Sequence, residues 1–356
     1  MTPQRFEERR EKLRALMHER GLDALFVSYD ANRFYLSGFE LHDSQLNESS
    51  GYLIVTADGK DWLCTDSRYL DAARRMWDHD RIFIYAGDIP SQINAHLRAT
   101  VHGTIGFEAR CMTLDFYEKF SPSLTLERAD GIVEELRIIK EPEEIALMQR
   151  ACDLNHQLMA WVPSVLVEGR TEKAVSWDIE QFFRNHGASE LAFDNIVAVG
   201  PNGALPHHRP SDDIITDNCS VLIDVGCRLD TYCSDQTRTF WVGDKPASHF
   251  LAALEQTQEA QSAAIKAIRP GMLCSEAYAI ARASFEKHGV ADHFTHALGH
   301  GIGIETHEPP SHNPRNHTVL QPGMIVTVEP GLYYPQWGGI RWEHMVLITE
   351  DGVQVL

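Results

Sequence analysis

The apolar pattern predicts an α+β protein in two parts. In the first third of the 356-residue chain, short apolar runs alternate with helical stretches, the pattern of a compact α/β unit. Beyond about residue 129, strand-like runs gather into hairpins beside a few long helices, which predicts an α+β domain. The length agrees, since roughly 100–200 residues make one domain. The expected domains are 1–128 and 129–356.

The first element is a helix. Thr2 is placed to cap it and Pro3 suits its first position. Phe6, Leu13, Leu16 and Met17 share a stripe that Gly21 terminates. Strands are expected at ALFVS (24–28), GYLIVT (51–56), WLCT (62–65), RIFIYA (81–86) and TIGFEA (104–109). The second and third of these form a hairpin through the turn at Ala57-Asp58-Gly59. Helices fall at DSRYLDAARRMW, around Asn94 to Leu97, and at LDFYEKF. Pro142, Glu143 and Glu144 open a long helix, with acidic side chains at the positive end of its dipole. Further helices are expected at about 171–186, ended by Gly187, at 248–268, capped by Ser248, and at 275–288, capped by Ser275. NIVAVG, SVLIDVG, TRTFWV, MIVTVEPG and IRWEHMVLI read as strands.

Composition narrows the function. With 51 acidic and 32 basic side chains the net charge is −19, which argues against nucleic acid as a partner. No apolar stretch reaches the ~18 residues of a membrane span, and the charged N-terminus has no apolar signal region. Seven scattered cysteines, none in a Cys-x-x-Cys pair, suit free thiols in the cytoplasm.

The informative anomaly is acid inside apolar strands. Asp224 lies in VLIDVG, Glu329 in MIVTVEPG and Glu343 in IRWEHMVLI. A buried ionised carboxylate without a partner costs several kcal/mol or takes up a proton. A hairpin turning at Leu229-Asp230 sets Asp224 opposite Asp235, with Cβ atoms about 4.5–5.5 Å apart. A hairpin centred on Gln336 sets Glu329 opposite Glu343 in the same way. Each acid alone reads as an ordinary ion-paired residue. Four in two matched hairpins ask for shared cations. An imidazole ligand is available in HALGHGIGIETHEPP, where His296, His300 and His307 alternate with glycines that permit close backbone approach. His207-His208 is a further pair; His208 reads as a loop residue, and His293, His312 and His317 as surface residues.

LIDVGCRLDTYCSDQTRTF, HALGHGIGIETHEPP, LQPGMIVTVEPGLY and GGIRWE together resemble the metal-dependent Xaa-Pro peptidases, the group of aminopeptidase P and prolidase. NRFYLSGF and CTDSRYLDAA are similar to the creatinase-type N-terminal domain. The resemblance implies a pita-bread fold beyond residue 129. It implies a dinuclear site with Asp224, Asp235, His300, Glu329 and Glu343 as ligands, Asp235 and Glu343 bridging. It makes His207, His296 and His307 groups that hold substrate and move protons, and matches Arg341 to the arginine just before the last ligand. Structural pairing being the commoner role of such an arginine, Arg341 reads as neutralising a nearby acid, with direct substrate binding as the alternative. His344 stands where the family usually has Asp, and Thr231 where Gly is frequent.

Four carboxylates and one imidazole suit two Mn²⁺ ions, with Co²⁺ or Zn²⁺ as alternatives. Two such ions acidify a shared water to a pKa of about 7 and polarise a carbonyl. Glu329 would accept the proton, while His296 and His307 would stabilise the oxyanion and protonate the leaving proline nitrogen. The expected substrates are small proline-containing peptides. Length and N-terminal pattern favour an Xaa-Pro aminopeptidase, with the Xaa-Pro dipeptidase as the alternative. A creatinase-like amidinohydrolase, or a non-catalytic binding module on the same fold, is more remote because all five ligand positions are intact. The resemblance also implies a homodimer.

Overall fold

A computed structural model describes every residue except Met1, Ser44, Leu46 and Asn47. The chain divides into two compact units, Met1–Arg137 and Ile138–Leu356. Among the described residues no helix is long and apolar enough to cross a membrane.

The first unit is built on a six-stranded sheet ordered Ile82–Ile84, Trp62–Thr65, Tyr52–Thr56, Ala24–Val27, Thr104–Phe107, Thr125–Arg128. The expected hairpin is present, with Tyr52 opposite Cys64 and Ile54 opposite Trp62. Phe26, Ile54, Leu97 and Phe120 form the core on one face. Two elements go beyond the sequence reading. The edge strand Thr125–Arg128 is mostly exposed and so lacks apolar alternation. The helix Asp30–Ser37 hides its periodicity because it buries Asn32 and Arg33. Arg33 is tolerated there because it donates to the carbonyls of Gly51 (2.6 Å) and Glu40 (2.6 Å) and pairs with Asp43 (3.0 Å).

Three expected caps differ. Thr2 holds the cap position of the helix Pro3–Glu19, but its side chain accepts no capping hydrogen bond. Ser248 is the first helical residue of Ser248–Ala267, behind extended Ala247. The helix Cys274–Lys287 starts one residue before Ser275, and the Glu276 carboxylate reaches back to the Leu273 N–H at 2.8 Å. An acid in the first turn takes over the work expected of a serine.

The second unit has two apolar centres. In one, the helices Pro142–Trp161 and Glu172–Asn185 pack through Leu158, Ile179 and Phe183 onto the sheet Ile196–Val199, Cys219–Val225, Gln236–Val242. In the other, Ser248–Ala267 and Cys274–Lys287 lie close together through Ala260, Ala264, Ala277 and Ala281. That pair covers the sheet containing Ile325–Val328 and His344–Ile348. Two helix-backed sheets are the pita-bread arrangement, and strands from both carry the acids of one cavity.

Candidate metal centre

The cavity, about 940 Å³, is lined by Asp224, Asp235, His300, Glu329 and Glu343, and by His207, His208, His296, His307, Arg209 and Arg341. Every residue expected at the site therefore reaches one space.

The first acid pair arrives by a different register from the expected one. Asp224 lies opposite Thr237, not Asp235. The hairpin turns one residue later than expected, at Asp230-Thr231, both with positive φ (47° and 86°). Such a two-residue turn matches strand twist, but a β-branched Thr at positive φ is a rare occupant that sequence does not announce. The slip is two residues, so Asp235 stays on the face of Asp224 as its diagonal neighbour. The second pair follows the expected register. Val328 faces His344 and Gly331 faces Arg341, which sets Glu329 and Glu343 opposite each other at the break between the two ladders. His300 is brought in by close backbone contact. A Cβ on Gly299 would lie 2.0 Å from the Thr327 carbonyl oxygen, and one on Gly301 2.1 Å from that of Pro309.

Asp235, His300 and Glu343 each offer a ligand atom, and the three atoms lie within 4.8 Å of one another. His300 Nε2 is 3.3 Å from Glu329 Oε1 and 3.6 Å from Asp235 Oδ2. His300 Nδ1 donates to the Gly301 carbonyl (2.9 Å), so its lone pair on Nε2 points at the carboxylates. Burial and nearby His307 push the His300 pKa down to about 3, which keeps the ring neutral. Burial and the neighbouring carboxylates hold the Asp235 and Glu343 carboxyls well above the usual range. Burial, with Asp224 beside it, raises Glu329 to about 7. Two buried oxygens, Asp224 Oδ1 and Glu343 Oε1, have no hydrogen-bond partner among the described residues. A neutral imidazole lone pair, clustered acids and open buried oxygens are what a divalent cation satisfies. The residues fit the group.

Arg341 is nearly fully buried and fully committed. It donates to Asp224 Oδ2 (2.5 Å), to the Tyr333 hydroxyl (2.9 Å) and to Thr237 Oγ1 (3.1 Å). Thr237 Oγ1 in turn donates to Glu343 Oε2 at 2.7 Å. The Tyr333 hydroxyl donates to His296 Nε2 (2.8 Å), while His296 Nδ1 donates to the Ala297 carbonyl (2.7 Å). His296 thus has no free ring nitrogen, and burial lowers its pKa to about 4. His207 and His307 make no hydrogen bond among the described residues and present free imidazoles. His208 is tied to buried Glu172 at 2.7 Å. His312, expected at the surface, is fully buried; the backbone pairing of its segment with Leu298 and Gly299 carries it inside.

Nothing in the sequence marks Tyr333 or Thr237, because an aromatic in GLYY and a threonine in TRTFWV look like ordinary strand residues. Tyr333→Phe leaves an Arg341 donor and a His296 acceptor unpaired. Urea unfolding should show a loss of about 1–3 kcal/mol; an unchanged midpoint would mean that water replaces the hydroxyl.

Clustered carboxylates and histidines on this fold define a metallohydrolase-type centre. Comparison with known proteins gives the class. Residues 146–350 match the model of metallopeptidase family M24, and residues 9–139 match the creatinase/prolidase N-terminal domain. The chain belongs to metallopeptidase family M24. It is 35% identical over 354 residues to the Xaa-Pro dipeptidase of Pyrococcus furiosus, covering 98% of this chain and 97% of the relative. Among solved structures it resembles an Xaa-Pro dipeptidase from Bacillus anthracis (TM-score 0.91, 32% identity, 98% and 97% coverage). It also resembles an X-Pro aminopeptidase from Thermotoga maritima (TM-score 0.82, 29% identity, 94% and 95% coverage).

Proposed function

We infer that this peptidase is an Xaa-Pro dipeptidase working with two divalent ions, Mn²⁺ foremost, held by Asp224, Asp235, His300, Glu329 and Glu343. The observation that carries the metal reading is the convergence of Asp235, His300 and Glu343 around open buried carboxylate oxygens. The aminopeptidase favoured by length and N-terminal pattern gives way to the dipeptidase because relatives spanning nearly the whole chain bear the dipeptidase name. The free thiols suit work in the cytoplasm.

When bound, the ions supply an acidified water and a Lewis acid at the scissile carbonyl. Glu329, which lines the cavity 3.3 Å from His300 Nε2, is placed to take a proton from the attacking water. His307 and His207, with free ring nitrogens in the cavity, are the groups to donate to the developing oxyanion and to the proline nitrogen. His296 contributes by orientation, as the end of the chain through Tyr333 and Arg341 to Asp224.

An Xaa-Pro dipeptide carries a carboxylate directly on its proline. Of the two arginines lining the cavity, Arg341 is committed, whereas Arg209 is exposed and makes no hydrogen bond or ion pair among the described residues. Arg209→Met should raise KM for Xaa-Pro dipeptides about tenfold, in line with a charged hydrogen bond, and leave kcat nearly unchanged. An unmoved KM would place the carboxylate elsewhere. The deciding assay compares Xaa-Pro dipeptides with Xaa-Pro-Xaa tripeptides in added Mn²⁺. Higher kcat/KM on dipeptides is expected; preference for tripeptides would return the reading to the aminopeptidase. No turnover of either, with metal bound, would end the Xaa-Pro reading.

A further inference from the structure

We propose that Gln261, on the helix Ser248–Ala267, is a positioning residue that sets the separation of Glu329 and Glu343, with His344 and Arg238 fixing its orientation. This rests on the metal reading above. The two glutamates sit where the ladder between Ile325–Val328 and His344–Ile348 stops and the one between Gly331–Tyr334 and Gly338–Arg341 begins. At that break neither glutamate uses its own N–H across the pair. Glu329 donates to the Leu298 carbonyl (2.8 Å) and Glu343 to that of Thr237 (3.2 Å). The residues just before them, Val328 and Trp342, turn their carbonyls to one side chain. Gln261 Nε2 donates to both, at 2.8 and 2.9 Å. One amide group therefore spans the two strands at the step preceding each acid.

The amide has a fixed orientation. Gln261 Oε1 accepts from His344 Nδ1 at 3.1 Å, and His344 Nε2 accepts from the Arg238 guanidinium at 2.7 Å. Arg238 lies over the Trp342 ring at 4.5 Å and donates to the carbonyls of Thr237 and Glu343. With Nδ1 protonated toward Gln261, the His344 tautomer forces the amide nitrogen toward the strands. Gln261 is buried (5% exposed), so no water stands ready to replace its donors. Groups that orient metal ligands from behind typically alter metal affinity 10–100-fold when lost.

The test uses the full chain freed of metal. Gln261→Met keeps size and removes both donors. Thr257→Val, one turn earlier on the same helix, is the control, since among the described residues the hydroxyl of buried Thr257 bonds only back to the Ala253 carbonyl. Mn²⁺ affinity is read by calorimetry, and ligand geometry by the visible absorption of the Co²⁺-loaded protein. The expected result is a Q261M protein that binds Mn²⁺ about 10–100-fold more weakly with an altered Co²⁺ spectrum, while T257V matches the unaltered protein. Affinity within twofold of the unaltered protein for Q261M, or an equal loss in T257V, overturns the proposal. Should Q261M not fold, His344→Leu decides: it keeps the donors but frees the amide, so weaker Mn²⁺ binding supports the clamp and unchanged binding overturns it. No Mn²⁺ binding by the unaltered protein would overturn the metal reading and the clamp with it, whereas tight binding matched by Q261M overturns the clamp alone.

Discussion

Glu343→Gln should abolish hydrolysis and yet raise the melting temperature of the metal-free protein. The two effects have one cause. Glu343 is 1% exposed, its Oε1 has no partner among the described residues, and burial together with nearby Glu329 and Asp224 raises its pKa. Without metal the acid must either repel its neighbours in a low-dielectric space or hold a proton above its ordinary pKa, both of which cost stability, and glutamine removes that cost while still accepting from Thr237 Oγ1. In the proposed metal site the same charge is a ligand. Activity should therefore fall on the order of 10³-fold or more, at least the effect of deleting one electrostatic stabiliser.

Calorimetry with EDTA or Mn²⁺ separates the two effects. Mn²⁺ at about 100 times its Kd adds about 2.7 kcal/mol of stability, or about 5–10 °C in a domain of this size. The unaltered protein should show that shift; the variant should start higher without metal and gain much less. A metal-free variant that melts below the metal-free parent would show that the acids do not repel one another. An undiminished Mn²⁺ shift would remove Glu343 from the ligand set.

What could be read from the sequence followed how unusual each residue looked in its local pattern. An acid within an apolar strand is costly wherever it points, so Asp224, Glu329 and Glu343 stood out before any fold was known. The Glu329–Glu343 register could be read because Pro335 and Gly338-Gly339 bracket a turn centred on Gln336. The Asp224–Asp235 register slipped because neither Asp230 nor Thr231 advertises positive φ. His300 could not be chosen over His296 or His307 by spacing; only the family resemblance separated them. Tyr333, Thr237 and Gln261 stayed hidden because their roles come from tertiary partners. A glutamine on a long helix reads as solvent-facing until a second sheet is packed against it. Arg33 obscured a helix for the same reason.

The second large effect is the pH dependence of metal stabilisation. Glu329 is raised from an ordinary 4.5 to about 7, and Asp235 and Glu343 are raised as well. A carboxyl with a raised folded pKa stabilises the metal-free protein below its unfolded pKa, and that contribution is lost as pH climbs through the folded value. Metal takes the place of those protons, so the extra stability it confers should grow from about pH 4.5 to beyond 7. Each proton displaced steepens the rise by about 1.4 kcal/mol per pH unit. The melting temperature alone is the wrong readout. Half-buried His96 and His296 and buried His312, each lowered to about 4, work in the opposite sense, since their contribution is lost as pH falls below 6.5. They are common to the metal-free and metal-loaded proteins and cancel in the difference. His300, already neutral with its pKa near 3, adds no proton to the exchange in this window. A Mn²⁺-induced shift that stays flat between pH 5 and pH 7.5 would mean that metal displaces no carboxyl protons, and the acids would then hold their charge by other means.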